Sequence, residues 1–351
     1  MDNNRTAIID FFRGVAISDM ILVHFNGYFS PFTAKILSYT DMAMEGFVLL
    51  AGFMVGWHYY PRFIHDRTGI TKRLLYRAFQ ILAIQYILIL TINVPLYYVL
   101  YDKIRQTEPL SMFITKSMLF WNQIGLIHIL PTFIPFFIIS PAILYLIEKK
   151  YTPLVLGISI SLFVIGNKHP YALDIGDQTI FPFMLWQIYF IAGCLLGIRA
   201  YVHGTLAPKN IDKYLLISIL ILLMAMFIKH AKVISPALTS KFPLNALGLL
   251  YGASLLFMTY TITLKYWHIL KRVTICNSYI PLLGRYSLLT FVLHVYMVKG
   301  IVVINYFYRV NNYVNYVLVL VSIISIYIII NYYENLNKRN YPYLVLEKLF
   351  K

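Results

Sequence analysis

Ten apolar runs, most of them close to twenty residues, punctuate this chain, and about twenty apolar residues is the length an α-helix needs to cross the hydrocarbon core of a bilayer. They lie near 7–29, 36–59, 74–100, 124–147, 152–167, 181–201, 214–230, 244–264, 279–304 and 313–333. Their succession predicts an all-α integral membrane protein, a bundle of about ten transmembrane helices. An even count puts both termini on one side of the membrane.

Composition agrees. With 60% hydrophobic and 13% charged residues, the chain holds more apolar surface than one water-soluble core can hide. Its formal net charge of +16 belongs to loops and lipid headgroups, and no nucleic-acid partner is expected. Arg62, Arg67, Lys72, Arg73, Lys149, Lys150, Arg199, Lys209, Lys213, Lys265, Lys271 and Arg272 fall on the same side as Arg5 and the tail residues Lys338, Arg339, Lys348 and Lys351. That side carries about 17 basic residues against about 9, which by the positive-inside rule makes both termini cytoplasmic. Asp10, Arg13 and Asp19 interrupt the first run, so it reads as a retained span rather than a cleaved signal. Residues 1–334 are expected to form the membrane domain and 335–351 a cytoplasmic interfacial tail. Gly52/Gly56, Gly193/Gly197 and Gly248/Gly252 each have the four-residue spacing of close helix contacts. Cys194 and Cys276 have no metal or disulfide spacing.

Within the first run, Arg13 and His24 are eleven residues apart, which returns to nearly the same helix face roughly 16 Å further along. A buried cation and a titratable base therefore share one stripe with Asp10. Charges are costly in lipid and so face a protein or water-filled interior. Arg13, Arg73, Arg77 and Arg285 are expected at the inner depth, where guanidinium groups suit bidentate contact with phosphate. His24, Asp41, Glu45, His128, Trp186 and Gln187 are expected near the outer side. A base, a carboxylate to orient it, and amide and indole donors beside an aromatic surface can bind a sugar and deprotonate its hydroxyl. His24 and Glu45 are the catalytic candidates, with His128, Trp186 and Gln187 around the acceptor. His169, Asp174 and Asp177 read as a solvated loop, and no metal is expected.

The chain has no P-loop, dinucleotide fingerprint, zinc spacing or serine elbow. The run Asp10-Phe-Phe-Arg13-Gly, with His24 eleven residues after the arginine, resembles the opening of the integral-membrane acyltransferases of the acyltransferase-3 superfamily, most closely the OpgC branch. Residues 43–53, with Glu45 seven before Gly52, resemble the second-helix signature of that branch, and residues 128–133, 181–193 and 281–288 are similar to its later landmarks. Ala51 and Phe181 depart from it, standing where the branch usually has serine and asparagine.

The resemblance implies transfer of a succinyl or acetyl group from cytoplasmic acyl-CoA to a hydroxyl of an extracytoplasmic glycan, in the inner or plasma membrane, with no permanently bound cofactor. It assigns Arg13, Arg73, Arg77 and Arg285 to acyl-CoA and His24, assisted by Glu45, to the chemistry. A homo-oligomer is compatible with the sequence. The rival class is a transporter or flippase for a glycan or lipid-linked sugar, in which Arg13, His24 and Glu45 would form a relay.

Overall fold

A computed structural model of the chain describes residues 3–100, 108–121, 126–173, 181–208, 210–230 and 244–338, and among these every regular element is helical. In chain order the α-helices are α1 (Asn3–His24), α2 (Pro31–Thr40), α3 (Ala43–Met54), α4 (Tyr60–Phe63), α5 (Arg67–Leu88), α6 (Val94–Leu100), α7 (Leu110–Met118), α8 (Ile129–Glu148), α9 (Thr152–Lys168), α10 (Phe183–His203), α11 (Ile211–His230), α12 (Ala246–Leu270), α13 (Ile280–Arg285), α14 (Ser287–Tyr308) and α15 (Asn312–Lys338). Single π-helical turns at Val55–Tyr59, Ile89–Asn93 and Ile275–Tyr279 join some of them end to end.

Among the described residues, eight helical stretches are long and apolar enough to cross a membrane. The other two expected spans also fold as helices but fall short of that test. Helix α1 carries Asp10, Arg13 and Asp19, and α9 is 17 residues long.

Two expected spans are broken. The run at 36–59 divides at Asp41-Met42, between α3 and an α2 that Ser30 caps at its start, accepting a hydrogen bond from the Thr33 amide at 3.3 Å with Pro31 in the first turn. Helix α2 then ends before Asp41, and α3 starts afresh at Ala43. Asp19 of α1 accepts the Met42 N–H at 2.8 Å, which satisfies a donor in that gap. The run at 279–304 divides at Tyr286, whose backbone (φ −106°, ψ 37°) leaves the helical region between α13 and α14. The Thr290 hydroxyl is hydrogen-bonded to the Leu283 and Tyr286 carbonyls at 3.2 and 3.0 Å, across the break.

The chain forms two compact units, the first from 1–44, 94–106 and 262–351 and the second from 45–93 and 107–261. The two units alternate along the sequence. Of the expected tail, 335–338 continue α15 and 339–351 lie outside the described residues.

In the first unit, α1 lies along α13. Gly14 faces the Ile280 carbonyl and Gly284 faces the Asp10 carbonyl, so each helix presents bare backbone to the other. The Trp267 ring meets Phe11 edge-on at 5.4 Å between centroids. In the second unit, α10 packs against α3 and the π-turn by the same device. Gly52 and Gly56 face the carbonyls of Phe190 and Cys194, while Gly193 and Gly197 face those of Leu49 and Phe53. Two of the three glycine pairs therefore interlock, because small residues let backbones approach where lipid supplies no hydrophobic drive. In the third pair, Gly252 instead makes room for side chains. At the end of this unit, Arg67 and Glu148 form a two-pronged ion pair between α5 and α8.

Candidate functional site

The first unit holds two polar groupings on α1. At one end, Asp10 is 8% exposed and lies between two guanidinium groups, 4.0 Å from Arg13 Nη1 and 3.6 Å from Arg285 Nε. Arg285 also pairs with Glu334 of α15. Arg285 sits here because α13 ends on it and because glycine at 284 lets α13 approach Asp10. Two cations and two carboxylates sum to zero, so the cluster is already neutralised. Arg285 nevertheless leaves half of its side chain exposed, while Glu334 exposes only 12%. An anion arriving from solvent thus meets the arginine first.

At the other end of α1, His24 is half-buried and faces His294 of α14. His24 Nδ1 and His294 Nε2 are 2.9 Å apart. Their ring planes differ by 10° and their centroids are 5.1 Å apart, so the rings meet edge to edge with the nitrogens between them. His294 is fully buried, with Phe291 packed at an angle on its ring. Among the described residues, Asp41 and Lys299 are charged groups whose fields reach His24. His294 was not among the residues singled out from the sequence. Its signal was a histidine inside an apolar run, nine residues after Arg285.

The remaining candidates belong to the second unit. Glu45 is buried at 1% exposure. A Cβ on Gly252 would fall 2.7 Å from Glu45 Cγ and 2.7 Å from the Tyr189 hydroxyl, so Gly252 provides the space both occupy. Tyr189 donates its hydroxyl to the Leu249 carbonyl at 2.9 Å. Trp186 has no exposed surface and packs between Phe181 and Tyr189, with centroids at 5.7 and 5.9 Å. The open aromatic platform expected at Trp186 is therefore closed here. His128 stands half-buried at the start of α8. Arg77 donates to Gln80 at 3.2 Å, and Arg73, one turn earlier on α5, is exposed. The structure thus joins Arg13 with Arg285 in one unit and sets Arg73 beside Arg77 in the other.

The Gln187 amide is already engaged. Its oxygen accepts from the Ser159 hydroxyl at 2.7 Å, and its nitrogen donates to the Ser159 and Met184 carbonyls at 2.8 and 3.1 Å. It ties α10 to α9 rather than facing a ligand. Gln187→Leu is expected to lower stability in detergent by about 0.5–2 kcal/mol, the scale of interhelical polar contacts in membrane proteins. Adding Ser159→Ala should restore part of that loss by removing the stranded hydroxyl, and thermal unfolding of the single and double variants checks both.

Among the described residues no cluster of three or more His, Cys, Asp or Glu could hold a metal ion. Asp174 and Asp177 lie outside the described residues.

A helical fold with several membrane-length apolar helices and a buried carboxylate, Asp10, on its first helix defines a multi-pass membrane protein. The chain belongs to the OpgC family: the family model described as OpgC protein matches residues 5–339, nearly the whole length. No curated protein and no solved structure matches it.

Proposed function

We propose that this protein is a membrane O-acyltransferase of the acyltransferase-3 type, moving a succinyl or acetyl group from cytoplasmic acyl-CoA to a hydroxyl of an extracytoplasmic glucan. Membership of the OpgC family supports a transferase acting on glucans. In this reading the chain crosses the inner or plasma membrane ten times, with both termini in the cytoplasm, and α1 and α9 supply the two spans that composition and length alone leave out.

One observation carries the proposal. Helix α1 joins an arginine pair, Arg13 and Arg285 on Asp10, to a histidine pair, His24 and His294, eleven residues further along. A phosphate-bearing donor with a long flexible arm suits such a stripe. The CoA phosphates replace Glu334 and Asp10 as partners of Arg285 and Arg13. The thioester then reaches His24. His24 takes the proton of the sugar hydroxyl, the oxygen attacks the thioester carbonyl, and the carbon–sulfur bond breaks. The proton passes from His24 to the departing thiolate, giving free CoA and an ester. In the second unit, Glu45 and Tyr189 share the space that Gly252 leaves, and Gln187 ties α10 to α9.

Purified protein incubated with succinyl-CoA or acetyl-CoA and glucan should release free thiol only when both substrates are present. Glucan movement across vesicles without thiol release would instead favour the transporter. Arg285→Ala is expected to raise KM for acyl-CoA by about 10–100-fold, equivalent to losing charged hydrogen bonds of about 1.5–3 kcal/mol. Glu334→Gln should lower that KM by freeing Arg285. Steady-state kinetics separate the two, and an unchanged KM in both variants would remove Arg285 from donor binding.

A further inference from the structure

We infer that His294 is a positioning residue that fixes the tautomer of His24 and leaves the Nε2 nitrogen of His24 as the free base. In a neutral imidazole one nitrogen donates and the other accepts, so each bond in a chain of histidines dictates the next. His294 provides the starting point. Its Nδ1 is buried and makes no well-formed hydrogen bond, and the backbone groups it faces are those of Phe291 and Thr290, one turn earlier in α14. The carbonyls there can only accept. The Thr290 hydroxyl is itself taken up by the Leu283 and Tyr286 carbonyls and is not free to donate to the ring. Nδ1 of His294 therefore carries the proton, and its Nε2 presents a lone pair.

That lone pair lies 2.9 Å from His24 Nδ1, with the rings edge to edge in nearly parallel planes. His24 Nδ1 must then be the donor, and His24 Nε2 is left unprotonated. The opposite tautomer, with the proton on Nε2, would make His24 useless as a base at the nitrogen that points away from the pair. When His24 takes the sugar proton at Nε2, the positive charge strengthens its Nδ1–H bond to His294. His294 thus holds and stabilises the base without itself accepting the substrate proton, as an orienting third group does in a catalytic triad. Asp41 and Lys299 are charged groups near His24 among the described residues.

The kinetic consequence rests on the acyl-transfer proposal; the tautomer does not. Solid-state NMR of full-length protein labelled with ¹⁵N-histidine in bilayers, compared with His24→Ala to assign the resonance, should show His24 protonated at Nδ1 and bare at Nε2. A proton on Nε2 would overturn the inference. In turnover, His294→Phe should lower kcat roughly 10²–10⁴-fold, the range for losing or misorienting a general base, with KM for acyl-CoA unchanged. His294→Gln, whose side-chain oxygen can accept from His24, should recover most of that loss. The acidic limb of the pH–kcat profile should move in His294→Gln, because the group stabilising the protonated His24 has changed. Equal losses in His294→Phe and His294→Gln would make His294 a packing residue and overturn the inference. Wild-type protein with the predicted tautomer but no thiol release would sink the acyltransferase proposal and leave the His294 assignment standing.

Discussion

His24→Ala is expected to lower kcat for acyl transfer roughly 10²–10⁴-fold, the usual contribution of a positioned general base. Binding of acyl-CoA should persist, because Arg13 and Arg285 sit three helical turns away around Asp10. Folding should persist as well, since His24 is a half-buried residue at the last position of α1. Single-turnover assays with labelled acyl-CoA, alongside binding titrations, distinguish loss of chemistry from loss of donor. Turnover within a few-fold of wild type would take His24 out of the reaction.

The largest effect on the fold is expected from Gly284→Ala. A Cβ there would overlap the Asp10 carbonyl and crowd the Gly14 amide, and both are backbone atoms that cannot swing aside. Helices α1 and α13 would have to separate. Overpacking of this kind typically costs about 1–3 kcal/mol, occasionally more. The separation would also draw Arg285 away from Asp10, so the melting temperature and acyl-CoA affinity should fall together. Gly300→Ala in the same unit is the matched control, because a Cβ there meets nothing within 4 Å. Its melting temperature should stay level or rise slightly, since alanine is the better helix former. Equal behaviour of the two variants in detergent would show that the α1–α13 contact is looser than described.

Much of this architecture was legible because the membrane imposes it. A run such as 124–147 has one solution in lipid, and each of the ten apolar segments contains a helix among the described residues. The breaks were harder, because hydropathy sees side chains and not backbone dihedrals. Ser30-Pro31 is a readable helix start, but the apolar run that follows it carried across Asp41-Met42, where α2 gives way to α3. The break at Tyr286 has a weaker mark in the glycine at 284, and the three π-turns have none. Two glycine pairs could be read as contacts, but their spacing does not name the partner. The contact that places Arg285 was missed altogether, since Gly14 and Gly284 share no motif.

The site divides along the same line. Arg13, Asp10 and His24 were legible because helical periodicity relates residues close in sequence. His294 was not, because nothing local relates position 24 to position 294, and the pairing exists only once α14 packs beside α1. Gln187 shows the same limit. A buried amide suggests a ligand until the folded chain supplies Ser159, which takes up both ends of it. Asp19 had no assigned role from the sequence, and its partner, the Met42 amide, appears only where α2 ends.

The central claim is that acyl groups pass from a donor on one face to a glucan on the other. Reconstitution into vesicles with glucan trapped inside and acyl-CoA added outside tests it directly. Acyl ester on the trapped glucan, matched by free CoA outside and absent with His24→Ala, is the predicted result. Unmodified glucan inside, whether retained or exported, together with no release of CoA, would contradict it.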